Sequence, residues 1–307
     1  MSPFHLRTPL LHSRPMSRPG QDVFLKLEAL QPTGSFKLRG MGAACEEAVR
    51  RGAVHIVSSS GGNAGLAVAH AGRRLGVAVT IFVPGSTPPS TRERIVAEGA
   101  EVAVAGHVWD DAHDAAVAAA RRPGSAYVHP FADPVAWEGH ASLIDEVDEE
   151  GVRPDAVVVS VGGGGLLCGV LVGMHRRGWT EVPVLAVETE GASCFYQAIK
   201  ADKVVRTDNP TSIATSLGAR QVVDEALAWT RRHPIKPWLV SDRAAVDACL
   251  LFADEHRLLV EPACGAALAA LGDPAGPVAG ARCVLVVVCG GAGVTLGRLE
   301  EWRAKTR

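Results

Sequence analysis

The chain has 307 residues, 47% hydrophobic and 21% charged, with a formal net charge of −2 at pH 7. That balance suits a globular protein of about two domains and excludes both a disordered chain and a basic surface that tracks nucleic acid. No apolar run approaches a membrane span, Met1 to Gln21 lacks the apolar region of a secretory signal, and seven cysteines without a CxxC pair read as thiols in a reducing cytosol. In chain order, Val23 to Glu28 reads as a strand. The run Lys37, Gly40, Met41, Ala44, Cys45, Val49 then has helical spacing, which puts Lys37 of Thr33-Gly34-Ser35-Phe36-Lys37-Leu38-Arg39-Gly40 in a first helical turn. A cation there opposes the helix dipole, so local stability does not explain it. Lys37 is either a solvated lysine or an amine in use as a nucleophile toward a carbonyl.

From Val54 strand and helix alternate. Strands are expected at Val54–Ser58, Val77–Val83, Glu101–Val104, Ala156–Val161, Val182–Val187 and Cys283–Val288. Helices are expected at Asn63–Leu75, Ser90–Glu98, Asp110–Arg121, Gly164–Arg177, Asp242–His256 and Gly265–Leu271, with a last one from about Thr295. The strands are rich in Val and Ile with little alternation, as in parallel sheets covered on both faces. The fold class is therefore α/β with two open, mostly parallel sheets: a small domain over 38–134 inserted into a large one formed by 1–37 and 135–307.

Ligands in such sheets bind at the carboxyl ends of strands. Three corners there are heavily loaded. In Ser58-Ser59-Ser60-Gly61-Gly62-Asn63-Ala64-Gly65, helix N–H groups with Ser60 and Asn63 suit a carboxylate, and an ordinary N-cap turn needs only part of that set. Gly162-Gly163-Gly164-Gly165-Leu166 suits a phosphate wrapped by backbone, or else a tight turn with close helix packing; it matches neither a Walker loop nor a clean GxGxxG. Cys289, before Gly290-Gly291-Ala292-Gly293, either meets a ligand ring or only packs.

Together with Thr8-Pro9-Leu10, Pro130-Phe131, Trp137-Glu138-Gly139-His140, Val187-Glu188-Thr189 and Val260-Glu261-Pro262-Ala263-Cys264-Gly265, these motifs cover nearly the whole chain. The sequence resembles the fold-type II (tryptophan synthase β-like) pyridoxal 5′-phosphate enzymes, and within them the short, animal-type L-serine/L-threonine dehydratases. The resemblance implies an active site between two domains, a homodimer and a cytoplasmic lyase that releases ammonia from serine or threonine. It implies that Lys37 carries the cofactor as a Schiff base and acts as general base, with Phe36 against the pyridine ring and Asn63 on the ring hydroxyl. Gly162, Gly163, Gly164, Gly165 and Leu166 would bind the phosphate, and Cys289 would face the ring nitrogen. Ser60, Gly61, Asn63 and Ala64 would line the substrate carboxylate. Glu188, with the carbonyls of Gly162, Ala192, Leu217 and Ala219, matches a monovalent-cation site, taken here as K+.

Two positions depart from the pattern. Gly61 stands where many relatives carry Ser or Ala, which disfavours racemisation and is expected to leave extra room and a looser loop. Ala292-Gly293 stands where relatives often carry polar residues. The alternatives are another β-elimination or β-replacement reaction on an amino acid, or a weakly active or non-catalytic cofactor-binding homologue. His140 and Glu138 read as structural.

Overall fold

The computed structural model describes residues 4–272 and 276–306. The chain divides into two compact units: Met1–Leu6 with Gln31–His140, and Arg7–Leu30 with Ala141–Arg307. The first extends past the 38–134 read from the sequence, and glycines explain why. Gly40 and Gly139 bring two helices into backbone contact, and a Cβ on Gly139 would lie 2.5 Å from the Arg39 carbonyl oxygen. That contact draws the segment around Lys37 and the start of a later helix into one body.

The elements run in the order β1 (Leu10–His12), β2 (Asp22–Lys26), α1 (Lys37–Arg50), β3 (His55–Ser58), α2 (Asn63–Leu75), β4 (Ala78–Val83), α3 (Pro89–Ala97), β5 (Glu101–Val104), α4 (Trp109–Ala119), β6 (Ser125–Val128) and α5 (Pro134–Glu149). They continue with β7 (Ala156–Ser160), α6 (Gly165–Arg176), β8 (Val184–Thr189), α7 (Cys194–Ala201), α8 (Asp224–Trp229), β9 (Ile235–Val240), α9 (Asp242–His256), α10 (Pro262–Ala269), β10 (Cys283–Val287) and α11 (Leu296–Lys305).

The first unit holds a four-stranded parallel sheet in the order β5-β4-β3-β6. Leu38, Met41 and Cys45 of α1, Ala67, Val68 and Ala71 of α2, and Ile56, Val79 and Ile81 of the sheet form its core. Chain order runs outward from β3 through β4 to β5 and then restarts on the other side with β6. The reversal opens a crevice at the carboxyl ends of β3 and β6, the usual ligand position in an open α/β sheet.

The second unit holds a six-stranded sheet, β1-β2-β10-β7-β8-β9, parallel except for the short antiparallel edge strand β1. Every residue of β7 and β8 is buried, which is why these strands read as continuous apolar runs. Here the order reverses between β7 and β10. A buried polar network backs the sheet: Lys26 Nζ lies 2.5 Å from Glu146 and donates to the Thr8 carbonyl at 2.7 Å, while Thr8 Oγ1 donates to Glu28 at 2.6 Å. The Thr8-Pro9-Leu10 motif is thus tied down by charge-assisted bonds. Of the Gly/Ala/Pro stretch Gly272 to Arg282, residues 273–275 lie outside the described residues.

Candidate active site

Lys37 is the first residue of α1, in the first turn as its spacing predicts. The chain enters through a turn closed by Gly34 N–H donating to the Gln31 carbonyl at 2.7 Å, with Gly34 at φ 76°, a left-handed conformation that glycine adopts without penalty. The Lys37 amine donates to the carbonyl of Pro130 at 2.6 Å, beyond the end of β6, and lies 5.1 Å from the Phe36 ring centroid. Lys37 therefore stands at the first unit's reversal point. Behind it His140 is fully buried, 4.9 Å from the Phe36 ring, with neither ring nitrogen hydrogen-bonded. Burial holds its pKa well below the ordinary histidine value, and the charges of Lys37 and Arg39 push the same way. His140 is a neutral packing residue there, as its helix position suggests.

The serine loop leaves β3 and opens α2, and its three serines do different things. Ser58 Oγ donates to the Val128 carbonyl at 2.7 Å, and Ser59 Oγ hydrogen-bonds Tyr127 Oη at 2.6 Å, both on β6. Trp109 Nε1 donates to the Ser59 carbonyl at 2.6 Å, and His113 hydrogen-bonds Tyr127 at 2.8 Å. Two serines are thus structural ties, and Ser60 remains, accepting only the nearby Gly62 N–H at 3.3 Å among the described residues. Burial pushes Tyr127 up to about 12. It also drives neighbouring His129 down to about 3, with the charges of His113 and Lys37 adding to it. His129 is a neutral acceptor for the Phe131 and Ala132 N–H groups. Gly62 caps α2 without a side-chain acceptor, and the N–H groups of Ala64 and Gly65 have no acceptor among the described residues.

The room expected beside Gly61 is filled. A Cβ built on Gly61 would clash with Thr87 Oγ1 and lie 2.7 Å from Thr87 Cγ2 and 3.1 Å from Thr87 Cβ. The loop is packed there rather than loosened. Thr87 carries no motif, and nothing along the chain signals that its loop reaches Gly61.

In the second unit, Gly162 to Gly165 link β7 to α6. Gly164 has φ 93°, and a Cβ on it would lie 2.8 Å from both Val222 Cγ2 and Ala226 Cβ; one on Gly162 would lie 3.1 Å from the Leu217 Cα. The loop carbonyls are engaged: Gly162 accepts from the Cys194 thiol at 3.4 Å, Gly163 from Val223 N–H at 3.1 Å and Gly164 from Cys168 N–H at 2.9 Å. The N–H groups of Gly164, Gly165 and Leu166 have no acceptor among the described residues. A positive helix end with free donors and no side chain in the way accepts an anion.

Cys289 follows β10 and is buried. A hydrogen bond with Cys264, then burial, raise its pKa well above the ordinary thiol value, so it is a neutral thiol. The loop after it is organised by Glu261, which accepts from Gly293 N–H at 2.7 Å and from Ser216 Oγ at 2.6 Å. The small residues of Gly291-Ala292-Gly293 leave space for that carboxylate; a Cβ on Gly293 would lie 3.0 Å from it. Glu261 is a second residue whose role the sequence did not show, although it lies within a motif.

Glu188 is the penultimate residue of β8, and its carboxylate accepts the Phe195 and Tyr196 N–H groups of α7 at 2.9 and 2.7 Å. Burial pushes it up to about 8 against those bonds. Gly162 lies beside Leu217, whose carbonyl already accepts the Ala219 N–H at 2.8 Å, and Ala192 donates to Thr189. Among the described residues no cluster of three or more His, Cys, Asp or Glu could hold a metal ion.

A family model described as pyridoxal-phosphate dependent enzyme matches residues 1–290. The mouse protein named L-serine dehydratase/L-threonine deaminase is 45% identical over 98% of this chain and 95% of its own length. The mouse protein named serine dehydratase-like is 46% identical over 97% and 94%. The crystal structure of a fungal L-serine ammonia-lyase from Rhizomucor miehei superposes with a TM-score of 0.91 at 36% identity, covering 99% of both chains. By sequence and fold together, the chain belongs to the pyridoxal-phosphate dependent enzymes of fold type II.

Proposed function

We propose that the chain is an L-serine/L-threonine ammonia-lyase that yields pyruvate or 2-oxobutyrate and ammonia. The observation that carries this is Lys37, an amine at a sheet reversal point that donates to the Pro130 carbonyl at 2.6 Å. The residues fit pyridoxal phosphate: free N–H groups and left-handed Gly164 suit its phosphate, and a neutral buried thiol suits an unprotonated ring nitrogen. When bound, that group supplies an electron sink for the substrate's α-carbon.

The protein supplies the rest. Lys37 would hold the cofactor, and its Nζ is the amine placed to take the substrate's α-proton. Ser60, Asn63 and the Ala64 N–H hold the substrate carboxylate at the positive end of α2. Cys289 cannot supply the negative charge that would keep the ring nitrogen protonated, which favours elimination of the β-hydroxyl over transamination. Phe36 and Asn63 would meet the cofactor ring, and Glu188 with the neighbouring carbonyls would take a monovalent cation. A faster reaction in K+ than in Li+ supports that last assignment, and equal rates remove it.

We further read the enzyme as a cytoplasmic homodimer. Its seven cysteines are all free. Among the described residues, no helix is long and apolar enough to cross a membrane. Light scattering of the purified protein tests the dimer. The functional test is a visible spectrum with L-serine and then L-threonine added while 2-oxo acid is followed. A cofactor band that responds and releases pyruvate or 2-oxobutyrate supports the lyase. A band that shifts without 2-oxo acid overturns it in favour of another β-reaction.

A further inference from the structure

Thr87 lies in the loop between β4 and α3, far from every motif of the sequence. Its backbone is fixed at both ends: its N–H donates to the Pro84 carbonyl at 3.0 Å, and its carbonyl accepts from Arg92 Nε at 2.9 Å. Thr87 as a residue is only 7% exposed, and its Oγ1 makes no hydrogen bond among the described residues while keeping some access to solvent. Such a hydroxyl is a donor that the protein itself leaves available to a ligand. Oγ1 is also the atom nearest the position that a side chain at residue 61 would take. Gly61 lies directly before the free N–H groups that open the 13-residue helix α2. An unpartnered hydroxyl therefore occupies the space that Gly61 leaves, in the loop that leads into an open helix start.

We propose that Thr87 is a substrate-binding residue, its hydroxyl donating to the α-carboxylate of the bound amino acid, and that Gly61 and Thr87 form one coupled unit. The proposal rests on the lyase reading and deepens it by adding a donor that the loop itself lacks. Because Thr87 Oγ1 and Cγ2 both crowd residue 61, turning the side chain about χ1 does not make room. A β-carbon can enter at 61 only if Thr87 shrinks.

Two measurements on the cofactor-loaded protein test this. The first is a thermal-unfolding cycle. Gly61→Ala should lower the midpoint by about 3 °C or more, and adding Thr87→Ala should recover most of that loss. Additive losses would overturn the coupling. The second compares Thr87→Val, which keeps the shape, with Thr87→Ser, which keeps the hydroxyl. The probe is L-alanine, which has an α-carboxylate and no leaving group. Thr87→Val should weaken L-alanine binding, read from the cofactor band, and raise the KM for L-serine, each by about tenfold or more, while Thr87→Ser stays within about threefold of wild type. Wild-type values in Thr87→Val, or an equal loss in both variants, would overturn the hydroxyl's role. If wild-type protein binds cofactor and L-alanine but releases no 2-oxo acid, the lyase reading fails while the Thr87 contact stands or falls on the same comparison.

Discussion

Gly164 and Gly61 sit at the reversal points of two different sheets, and in both the space of a missing β-carbon is already taken. At Gly164 the occupants are apolar, Val222 and Ala226, and what the loop presents is bare backbone N–H. At Gly61 the occupant is Thr87, and what the loop presents is side chains: a hydroxyl, Ser60, Asn63 and, across the crevice from β3, the amine of Lys37. One corner offers backbone donors and is built for close approach. The other offers functional groups, and what it can do depends on which side chains the fold delivers.

The comparison is broken most directly at Lys37. Lys37→Ala should abolish the visible cofactor band and lower turnover by ~10³-fold or more, measured as 2-oxo acid release. An active variant would move the chemistry away from the first unit. Gly164→Ala should act on the backbone corner instead. The left-handed φ and the clash with Val222 and Ala226 together cost about 2–4 kcal/mol, to be read from thermal unfolding and from weaker binding of added pyridoxal phosphate. A variant that keeps wild-type cofactor affinity would show that this loop does not meet the phosphate.

Glu261→Ala should have a smaller effect, about 1–3 kcal/mol, because Gly293 N–H and Ser216 Oγ lose their acceptor. Cofactor affinity should fall more than in Gly164→Ala relative to the stability lost, if the loop after Cys289 touches the ring. At neutral pH the smallest effect is that of His129, which shows only as pH falls. His129 is depressed from 6.5 to about 3, so below pH 6.5 the unfolded chain binds a proton that the folded one refuses. Its contribution is whole above pH 6.5 and is lost as pH falls toward 3, at up to ~1.4 kcal/mol per pH unit. His129→Asn should flatten that acid limb in unfolding curves, and an unchanged limb would place the loss on other groups.

Much of this was readable in advance, for reasons that can be named. The parallel strands gave themselves away as buried apolar runs, and Asn63–Leu75, Glu101–Val104 and Asp242–His256 are observed with the bounds expected. Lys37 stood out because a cation in a first helical turn needs a reason. Strand β9 was hidden by Pro237, tolerated because β9 pairs on one side only, with β8. Helices α7 and α8 are too short to show a period, and β6 has only four residues. The serine loop stood out in the sequence as a strand-to-helix corner, but not its division of labour, since only the fold turns Ser58 and Ser59 back onto β6. Thr87 and Glu261 act across 26 and 45 residues on Gly61 and Ser216, and no local pattern encodes such pairs.

Position 61, taken alone, looks like a deletion from the substrate loop. Taken with position 87 it is a relocation, in which one loop gives up a side chain and another lends one to the same point in space. Swapping residues into this loop one at a time from related enzymes would then yield damaged proteins from compatible parts. Positions 61 and 87 have to travel together, in any graft of this site and in any inference from a relative's loop to this one.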